Sequence, residues 1–326
     1  MRRNIAIDAA MLTDHYQVSL AGIVCSVATN SALVGKALSS WPIACCEGSR
    51  KELSMRVLVT GEKGTDISRP HFRGLHHLVI ATFGPANIFT FDLIRRSVTG
   101  IISEEIAADA YFWNRILLPI VLGVLGTSVG IVPIHCACLS VGGMGIMIAG
   151  ASGAGKSTLS VALAQSGFDY VSDDWTYLSE ANGSLVAYGL SVPAKLLPDA
   201  VDSFPELVEY PLRMALNQEL SYDLPLENLG AQVKPSCEPH MFVLLERAPH
   251  KGFQLEPLSS DAGRQYILRS VEPLPRQLRA HIQTRAEMID RIAHLRCWRL
   301  IYGGPPQTAV TGMHEFLQWQ LGGVPA

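Results

Sequence analysis

The sequence predicts an α/β fold preceded by a small β-rich module, and three observations carry this prediction. Short strand-like runs separated by Gly, Pro and Asn fill residues 55–103. The glycine-rich stretch "GASGAGKSTLS" (residues 150–160) then lies between an apolar strand-like run and a helix-like run. An aspartate pair ends the next strand-like segment, "FDYVSDD". Strands that alternate with helices in this way are typical of α/β proteins.

Length and charge set the first limits on function. The chain has 326 residues, which is enough for one large α/β domain or two modest ones. It carries 26 basic and 29 acidic residues, a formal net charge of −3. Because proteins that bind the phosphate backbone of nucleic acids need an excess of basic residues, we expect no nucleic-acid partner.

The seven cysteines are odd in number and lack the paired CxxC spacing of zinc sites. The sequence therefore predicts reduced thiols in a cytoplasmic protein, with neither a disulfide framework nor a zinc site. Two of them alternate along a strand-like run, where we expect small apolar side chains that pack in a core. The seven are Cys25, Cys45, Cys46, Cys136, Cys138, Cys237 and Cys297, and Cys136 and Cys138 are the alternating pair.

One apolar stretch, residues 116–134 ("ILLPIVLGVLGTSVGIVPI"), has no charge and is long enough to cross a membrane. Prolines and glycines interrupt it, and it continues directly into the strand region before the glycine-rich stretch. We therefore expect a buried helix, a turn and a strand in preference to a membrane span, and no membrane partner. The interrupting residues are Pro119, Gly123, Gly126, Gly130 and Pro133.

Three regions are predicted along the chain. Residues 1–54 show no sustained hydrophobic period and are expected to be an N-terminal extension. Residues 55–103, which open with "MRVLVT", form the small β-rich module. Residues 104–326 form the main α/β domain, and its first helix is expected to be capped by Ser103 with two glutamates in the first turn.

The block around the glycine-rich stretch is predicted in most detail. We expect apolar strands at residues 135–140 and in "GIMIAG", and a helix over residues 157–166 that Gly167 closes. "FDYVSDDWTYL" is expected to form a strand that carries the aspartate pair at its end and lies beside the "GIMIAG" strand in a parallel sheet. Further on, we expect a hairpin-like continuation in "SLVAYGLSVPAKLL", a buried strand in "HMFVLLER" and a largely helical segment over residues 272–299.

The stretch from Gly150 to Ser157 matches G-x-x-x-x-G-K-[ST] in full, which is the pattern of a phosphate-binding loop. The glycines let the backbone approach the phosphates, and the following helix directs its N-terminal N–H groups at them. Lys156 is expected to reach the terminal phosphates, and the Ser157 hydroxyl to bind Mg²⁺. The sequence therefore predicts ATP and Mg²⁺ as cofactors. The predicted nucleotide-binding residues are Gly150, Ser152, Gly153, Ala154, Gly155, Lys156, Ser157 and Thr158.

The aspartate pair, Asp173 and Asp174, follows Ser157 by sixteen and seventeen residues. Adjacent carboxylates in a strand point to opposite faces unless the chain turns there. One carboxylate can then serve a metal while the other accepts a proton from an acceptor hydroxyl, which is the division of labour that phosphoryl transfer needs. The alternative is a pair of solvated turn residues. No guanine-reading N-K-x-D pattern occurs at a suitable place in the sequence.

Together these residues resemble the catalytic domain of the HPr kinase/phosphorylase family. In that family a histidine stands fifteen residues before the loop, as His135 does here before Gly150. The family's loop G-x-S-G-x-G-K-S is matched by "GASGAGKS", and its aspartate segment by "GFDYVSDD". The resemblance implies an α/β P-loop kinase core of the HPr kinase C-terminal type. A more distant likeness is to the phosphoenolpyruvate carboxykinases, whose "Y-A-K" is similar to "VPAKLL" with Lys195.

The resemblance also implies roles for individual residues. His135 would lie in the active site near the acceptor, Asp173 would accept the hydroxyl proton, and Asp174 would help Ser157 to hold the metal. The assignment between the two aspartates stays open. Lys195 would contact a phosphate or the substrate, or else lie at the surface. A homo-oligomer is implied by the family alone.

One departure from the family narrows the expectation. The family's second signature loop carries an acidic residue and an arginine, whereas the corresponding "LVAYGLSV" here carries no charge. We therefore do not expect the reverse phosphorolysis or HPr itself as the substrate. The chain is more similar to stand-alone HPr-kinase-like proteins, some of which phosphorylate a serine of a peptide such as a lasso-peptide precursor.

Three functions follow as hypotheses. The first is an ATP- and Mg²⁺-dependent kinase that acts on a serine of a small protein or ribosomal peptide. The second is a kinase for a small molecule such as a sugar or an amino acid, because acceptor specificity lies in loops that follow no general code. The third is a nucleotide-binding sensor without catalysis, which would bind ATP but show no acceptor-stimulated turnover.

Overall fold

A computed structural model describes residues 11–42, 52–64, 69–190, 192–214, 218–271, 274 and 276–322. The chain divides into two compact units. The first comprises Met1–Val132 and Pro273–Arg285, and the second comprises Pro133–Glu272 and Ala286–Ala326.

The first unit is built on a seven-stranded sheet with the strand order β1-β2-β3-β7-β6-β5-β4. Strand β3 pairs in parallel with both β2 and β7, and the other pairs are antiparallel. The strands are β1 (Asp14–Leu20), β2 (Ile23–Thr29), β3 (Glu52–Thr60), β4 (His71–Leu75), β5 (Leu78–Phe83), β6 (Asn87–Asp92) and β7 (Ser97–Ser103). The helices are α1 (Ala32–Ala37), α2 (Glu104–Ala108) and α3 (Leu118–Leu125), with short 3₁₀ or π segments at Leu38–Ser40, Phe112–Leu117, Gly126–Val129 and Arg276–His281.

The sheet of the first unit has one buried and one open face. Along β3, Leu53, Met55 and Val57 are almost fully buried, whereas Ser54 and Arg56 between them are partly or largely exposed. This is the period of two that a half-buried strand requires. The strand-rich nature of residues 55–103 is thereby confirmed. The predicted cap of α2 is also confirmed, because the Ser103 hydroxyl accepts a hydrogen bond from the Ile106 N–H at 3.3 Å.

The long apolar stretch forms a buried helix, as the sequence predicts. The chain is helical from Phe112 to Val129, turns at Gly130 with φ 85°, and continues into a strand at Val132. Phe112–Val129 is long and apolar enough to cross a membrane, but 67% of it is buried within the protein. Its apolar composition is therefore accounted for by the core it fills.

The predicted boundaries at residues 54 and 103 both fall inside the first unit. Within the predicted extension, β1 and β2 form an antiparallel hairpin, and β2 pairs with β3, so these residues belong to the same sheet as the β-rich module. The hairpin escapes sequence analysis because its turn is Ala21–Gly22, with φ values of 47° and 79°. Such turns ordinarily carry Asn-Gly or Asp-Gly.

The second unit contains three sheets, with strand orders β11-β9-β10-β18-β20-β19, β17-β13-β12-β8 and β14-β16-β15. The strands are β8 (Val132–Ile134), β9 (Ala137–Val141), β10 (Met144–Gly150), β11 (Asp169–Ser172), β12 (Thr176–Ala181), β13 (Ser184–Tyr188), β14 (Ala194–Leu196), β15 (Leu212–Met214), β16 (Leu220–Leu224), β17 (Ser236–Cys237), β18 (Pro239–Arg247), β19 (Gly252–Pro257) and β20 (Arg296–Gly303). The helices are α4 (Lys156–Gln165), α5 (Ser260–Ser270), α6 (Ile282–Ala293), which begins in the first unit, and α7 (Pro306–Gly322), with 3₁₀ segments at Pro198–Asp202, Pro205–Glu209 and Leu226–Leu229.

The six-stranded sheet carries the predicted strand–loop–helix unit. Strand β10 ends at Gly150, helix α4 begins at Lys156, and β18 and β20 continue the sheet in parallel with β10. Apolar residues of α4 and the sheet, such as Leu159 and Ile148, are fully buried in the core of this unit. The α/β arrangement of strand, glycine-rich loop and helix expected from the sequence is thereby confirmed.

Two expectations for this unit are wrong. "FDYVSDDWTYL" forms two strands in different sheets, β11 and β12, because the chain bends at Asp173 and Asp174. Strand β11 also does not lie beside β10, because β9 pairs antiparallel with both and separates them. Two successive antiparallel pairings nevertheless leave β11 running in the direction of β10. The carboxyl ends of both strands therefore lie at the same edge of the sheet.

The C-terminal segment is only partly as expected. Residues 272–299 were expected to be largely helical, but the helix α6 ends at Ala293 and strand β20 begins at Arg296. The β20 sequence "RCWRLIYG" alternates less clearly than an amphipathic strand because β20 lies inside the sheet, between β18 and β19, and side chains on both of its faces are buried or half-buried.

The cysteines in the described part of the chain are free thiols, as predicted. Burial raises the pKa of Cys136 to about 12, so this thiol stays protonated at neutral pH. Cys136 and Cys138 are fully buried, and the Cys138 Sγ lies 3.4 Å from the Cys237 Sγ. Cys45 and Cys46 lie outside the described residues.

Candidate functional site

The loop between β10 and α4 has the backbone of an anion cradle. Gly153 and Gly155 have φ values of 77° and 87°, a conformation that side chains disfavour. At Gly150 a Cβ atom would approach the Leu245 carbonyl oxygen to 2.9 Å, so a glycine is needed there to let the loop leave the sheet. Ser152 and Gly153 lie exposed at the tip, and the first turn of α4 begins directly behind them. The N–H groups of that turn are the ones that anions bind.

Lys156 lies inside the loop. Only 7% of the residue is exposed, and its Nζ donates hydrogen bonds to the carbonyl oxygens of Gly150 at 3.0 Å and Ala151 at 3.3 Å. Burial lowers the pKa of Lys156, and the nearby charge of Asp174 acts in the opposite direction. The ammonium is thus held at the centre of the loop, where a phosphate bound to the loop N–H groups would meet it.

A bend between β11 and β12 carries the aspartate pair. The Ser172 and Thr176 hydroxyls that flank the bend are 2.7 Å apart, and the Thr176 hydroxyl also donates to the Cys136 carbonyl oxygen at 2.9 Å. These buried hydrogen bonds fix both ends of the bend and tie it to the residue after His135. The predicted histidine and the predicted aspartates are therefore brought together by strands that are distant in sequence.

His135 and Asp174 form the most direct contact among the predicted site residues. The imidazole Nε2 lies 3.0 Å from the Asp174 Oδ1, and the Trp175 ring lies beside the imidazole with ring centroids 5.4 Å apart. Both side chains are accessible, at 36% for His135 and 46% for Asp174. A ligand that reaches this edge of the sheet can thus contact either group.

The electrostatic surroundings keep Asp174 ionised. Burial is the largest single influence and acts to raise its pKa, but the hydrogen bond from His135 and the charges of His135, Lys195 and Lys156 together outweigh it. The net result is a pKa of Asp174 below its ordinary value, so the group is a carboxylate at neutral pH.

Asp173 is placed differently from its neighbour. Only 3% of the residue is exposed, and its Oδ2 accepts a hydrogen bond from the backbone N–H of Lys195 at 2.7 Å. The Lys195 side chain extends to Glu219, with Nζ and Oε2 3.1 Å apart. Asp173 therefore anchors β14 to the aspartate bend, and Lys195 lies close enough to Asp174 for its charge to act on that carboxylate.

Sequence reasoning missed two residues at this edge, Arg247 and Tyr302. Arg247 is the last residue of β18 and Tyr302 the penultimate residue of β20, two strands that continue the sheet in parallel with β10. The Arg247 guanidinium lies 4.3 Å from the centroid of the Tyr302 ring. Arg247 also donates to the Gly304 carbonyl oxygen at 3.2 Å. A Cβ at Gly155 would lie 3.3 Å from the Tyr302 hydroxyl, so this ring supports the loop. The arginine at the end of "HMFVLLER" was the available signal, since ligands bind at the carboxyl ends of such strands.

The donor set at this site suits Mg²⁺ that arrives with a nucleotide. Among the described residues there is no cluster of three or more His, Cys, Asp or Glu side chains able to hold a metal. Mg²⁺ is ordinarily bound through one or two protein oxygens together with substrate phosphates. The Ser157 hydroxyl in the first turn of α4 and the ionised Asp174 are oxygen donors of this kind.

Residues 131–197 match the family model described as the HPr Serine kinase C-terminal domain. This segment is about a fifth of the chain and contains His135, the whole phosphate loop, the aspartate pair and Lys195. The resemblance to HPr kinases that the sequence predicts is thereby confirmed for the segment that holds the candidate site.

The chain is similar to a solved structure titled "Structure of the Hpr(Ser) kinase/phosphatase from Coxiella burnetii", with 16% identity over 59% of this chain and 93% of that chain, at a TM-score of 0.30. No curated protein matches the sequence.

Proposed function

We propose that this chain is a cytoplasmic kinase that uses ATP and Mg²⁺ to phosphorylate a serine hydroxyl of a small protein or ribosomal peptide, such as a lasso-peptide precursor. The proposal depends on one observation, which is that the predicted site residues meet at one edge of the six-stranded sheet. The phosphate loop of β10 and the aspartate bend of β11 lie at the same edge, and His135 is held against that bend. The match of residues 131–197 to a kinase family supports it.

The loop residues bind and orient the nucleotide. The N–H groups from Gly153 to Thr158 and the Lys156 ammonium would hold the phosphates, and Ser157 and Asp174 would hold Mg²⁺. When bound, Mg²⁺ neutralises charge on the transferring phosphoryl group. Fixed donors of this kind stabilise the transition state because they need no rearrangement at the moment of reaction.

The two aspartates divide the remaining work. Asp173 is proposed as the group that accepts the proton of the acceptor hydroxyl, and its hydrogen bond to the Lys195 N–H fixes the orientation of its carboxyl plane. Asp174 is proposed as the metal ligand. The geometry supports the role of Asp174 more directly, because this carboxylate is the accessible one and acts electrostatically on Lys156. His135 would orient Asp174 and face the acceptor.

The test is a transfer assay with γ-labelled ATP and Mg²⁺, in which serine-containing peptides and small hydroxyl compounds are offered separately. We expect label on a serine of a peptide, loss of that label in Lys156→Ala, and unchanged labelling in Lys36→Ala, which removes an exposed lysine of α1. Label on a small molecule alone would support the metabolite kinase instead. Tight ATP binding without any transfer would support the sensor.

A further inference from the structure

We propose that the open face of the seven-stranded sheet in the first unit is a binding site for an acidic peptide segment. This face holds a cavity of about 940 Å³ lined by side chains of β3, β5, β6 and β7 and of the turns beside them. Its volume is near the upper end of the range for small-ligand sites, roughly 300–1,000 Å³, and so leaves room for several amino-acid residues.

The floor of this cavity is polar because the strand register places polar side chains next to one another on this face of the sheet. Ser54 on β3 pairs with Ser97 on β7, and two residues along the strands Arg56 pairs with Thr99. Thr99 pairs in turn with Thr90 on β6. Because residues that are directly opposite or two apart share one face of a sheet, these side chains form a continuous patch. Hydroxyls and a guanidinium stand where a core-facing sheet would carry Val or Ile.

The cavity is lined by one carboxylate, which has partners of its own, and by one arginine that has none among the described residues. Asp92, the carboxylate in the lining, accepts hydrogen bonds from the N–H groups of Ile94 at 3.0 Å and Arg95 at 2.9 Å. His77 and the Arg95 side chain also lie within 3.8 Å and 3.9 Å of its oxygens. In contrast, Arg56 has no hydrogen-bond or ion-pair partner among the residues that the structure describes.

An unpaired arginine surrounded by hydroxyls selects for a carboxylate. The guanidinium presents several N–H groups in a planar fork that fits two carboxylate oxygens, and serine and threonine hydroxyls can bond to the peptide groups on either side. We choose a peptide ligand because the proposed function needs a peptide or small-protein acceptor, and this part of the inference rests on that function. The cavity would hold an acidic segment of the acceptor away from the serine that is phosphorylated.

The test uses the full chain without nucleotide and a fluorescein-labelled hexaglutamate peptide, followed by fluorescence anisotropy at low ionic strength. We expect saturable binding, about tenfold weaker or more in Arg56→Glu, weaker at higher salt, and absent for a hexalysine peptide. The matched control is Arg279→Glu, which reverses an exposed charge of the same unit. Arg279 lies on the 3₁₀ segment whose Gln277 packs against Gly74 of β4. Gly74 pairs with the buried Val79, whose neighbour Leu78 lines the cavity, so this segment lies on the opposite face of the sheet from the cavity.

Three results would overturn the inference: no binding of hexaglutamate, equal binding of hexalysine, or an equal loss in Arg279→Glu and Arg56→Glu. Arg56→Gln separates loss of charge from charge reversal and is expected to weaken binding less than Arg56→Glu. Since the assay contains no ATP and measures no transfer, its outcome is independent of whether the chain is a kinase. Hexaglutamate binding here, combined with no labelled acceptor in the separate γ-labelled ATP assay, would leave the cavity assignment standing and refute the proposed function.

Discussion

The His135 Nε2 lies 3.0 Å from the Asp174 Oδ1, although the two residues come from different strand ends. The buried hydrogen bond from Thr176 to the Cys136 carbonyl oxygen joins the two chain segments and holds this contact in place. As a result, the half-exposed carboxylate of Asp174 is stabilised by its hydrogen bond to His135 and by the nearby charge of Lys156.

This contact predicts a pH dependence of stability. The pKa of Asp174 in the folded protein lies below its ordinary value of 3.8. The carboxylate therefore adds stability above that value, and this contribution is lost as the pH falls through the lowered pKa. We expect Asp174→Asn to be less stable than the unsubstituted protein at pH 7, and the difference to shrink below pH 3.8. The difference is expected to be small because the side chain is half-exposed.

Urea denaturation in the presence of a chelator, at steps from pH 7 to pH 3, measures this difference. Asp199→Asn is the control, because its carboxylate has no ion pair within the described ranges of the chain. A stability difference that grows as the pH falls would contradict the prediction.

Asp173 is predicted to have two roles, one in stability through its hydrogen bond to the Lys195 N–H and one in catalysis as the base. Two substitutions at this position separate these roles. Asp173→Ala leaves the partly buried Lys195 N–H without this acceptor, which should destabilise the protein by about 1–3 kcal/mol. Asp173→Asn keeps an oxygen acceptor and should cost less. Both should abolish phosphate transfer while ATP binding changes little. Urea denaturation, ATP titration and the transfer assay together check this, and wild-type transfer in Asp173→Asn would refute its role as the base.

Arg247 is predicted to contribute to nucleotide binding. The Tyr302 ring and the Gly304 carbonyl oxygen fix its guanidinium at the strand ends beside the phosphate loop. A pre-oriented guanidinium binds phosphate oxygens well, so Arg247→Ala should weaken ATP binding about tenfold. A fluorescent ATP analogue measures the affinity. Arg264→Ala, which removes an exposed arginine of α5 paired with Asp290 of α6, should leave this affinity unchanged. Equal affinities in the two variants would exclude Arg247 from the nucleotide site.

The sequence predicts the part of the site that is contiguous. The loop conformation from Gly150 to Ser157 can be predicted locally, since the motif itself specifies the glycine positions and the start of the helix. His135 and the aspartates are also found from spacing, but the reason for their proximity is different from the expected one. Strand β9 separates β11 from β10, and the correct edge results from two antiparallel pairings that no local pattern encodes.

Residues that depend on distant pairing escape prediction. Arg247 and Tyr302 meet because β18 and β20 pair in parallel, with Arg247 opposite Tyr302. The hairpin of β1 and β2 is missed for a local reason, because Ala21 adopts a left-handed conformation that alanine seldom takes. The open face of the first sheet is visible only once the strand order brings Arg56 next to Thr99.

Gly189 is predicted to position the aspartate bend. A Cβ atom at this residue would overlap the carbonyl oxygen of Val171, two residues before Asp173 on β11, and backbone cannot move aside cheaply. Gly189→Ala should therefore lower the free energy of unfolding by about 2 kcal/mol or more and reduce transfer, because it displaces β11. Gly123→Ala is the control of opposite sign. It lies inside helix α3, its Cβ would meet nothing within 4 Å, and alanine favours helix over glycine by about 1 kcal/mol. In urea denaturation, the free energy of unfolding should be lower for Gly189→Ala and higher for Gly123→Ala than for the unsubstituted protein. An unchanged free energy of unfolding in Gly189→Ala would show that β11 does not depend on this close approach.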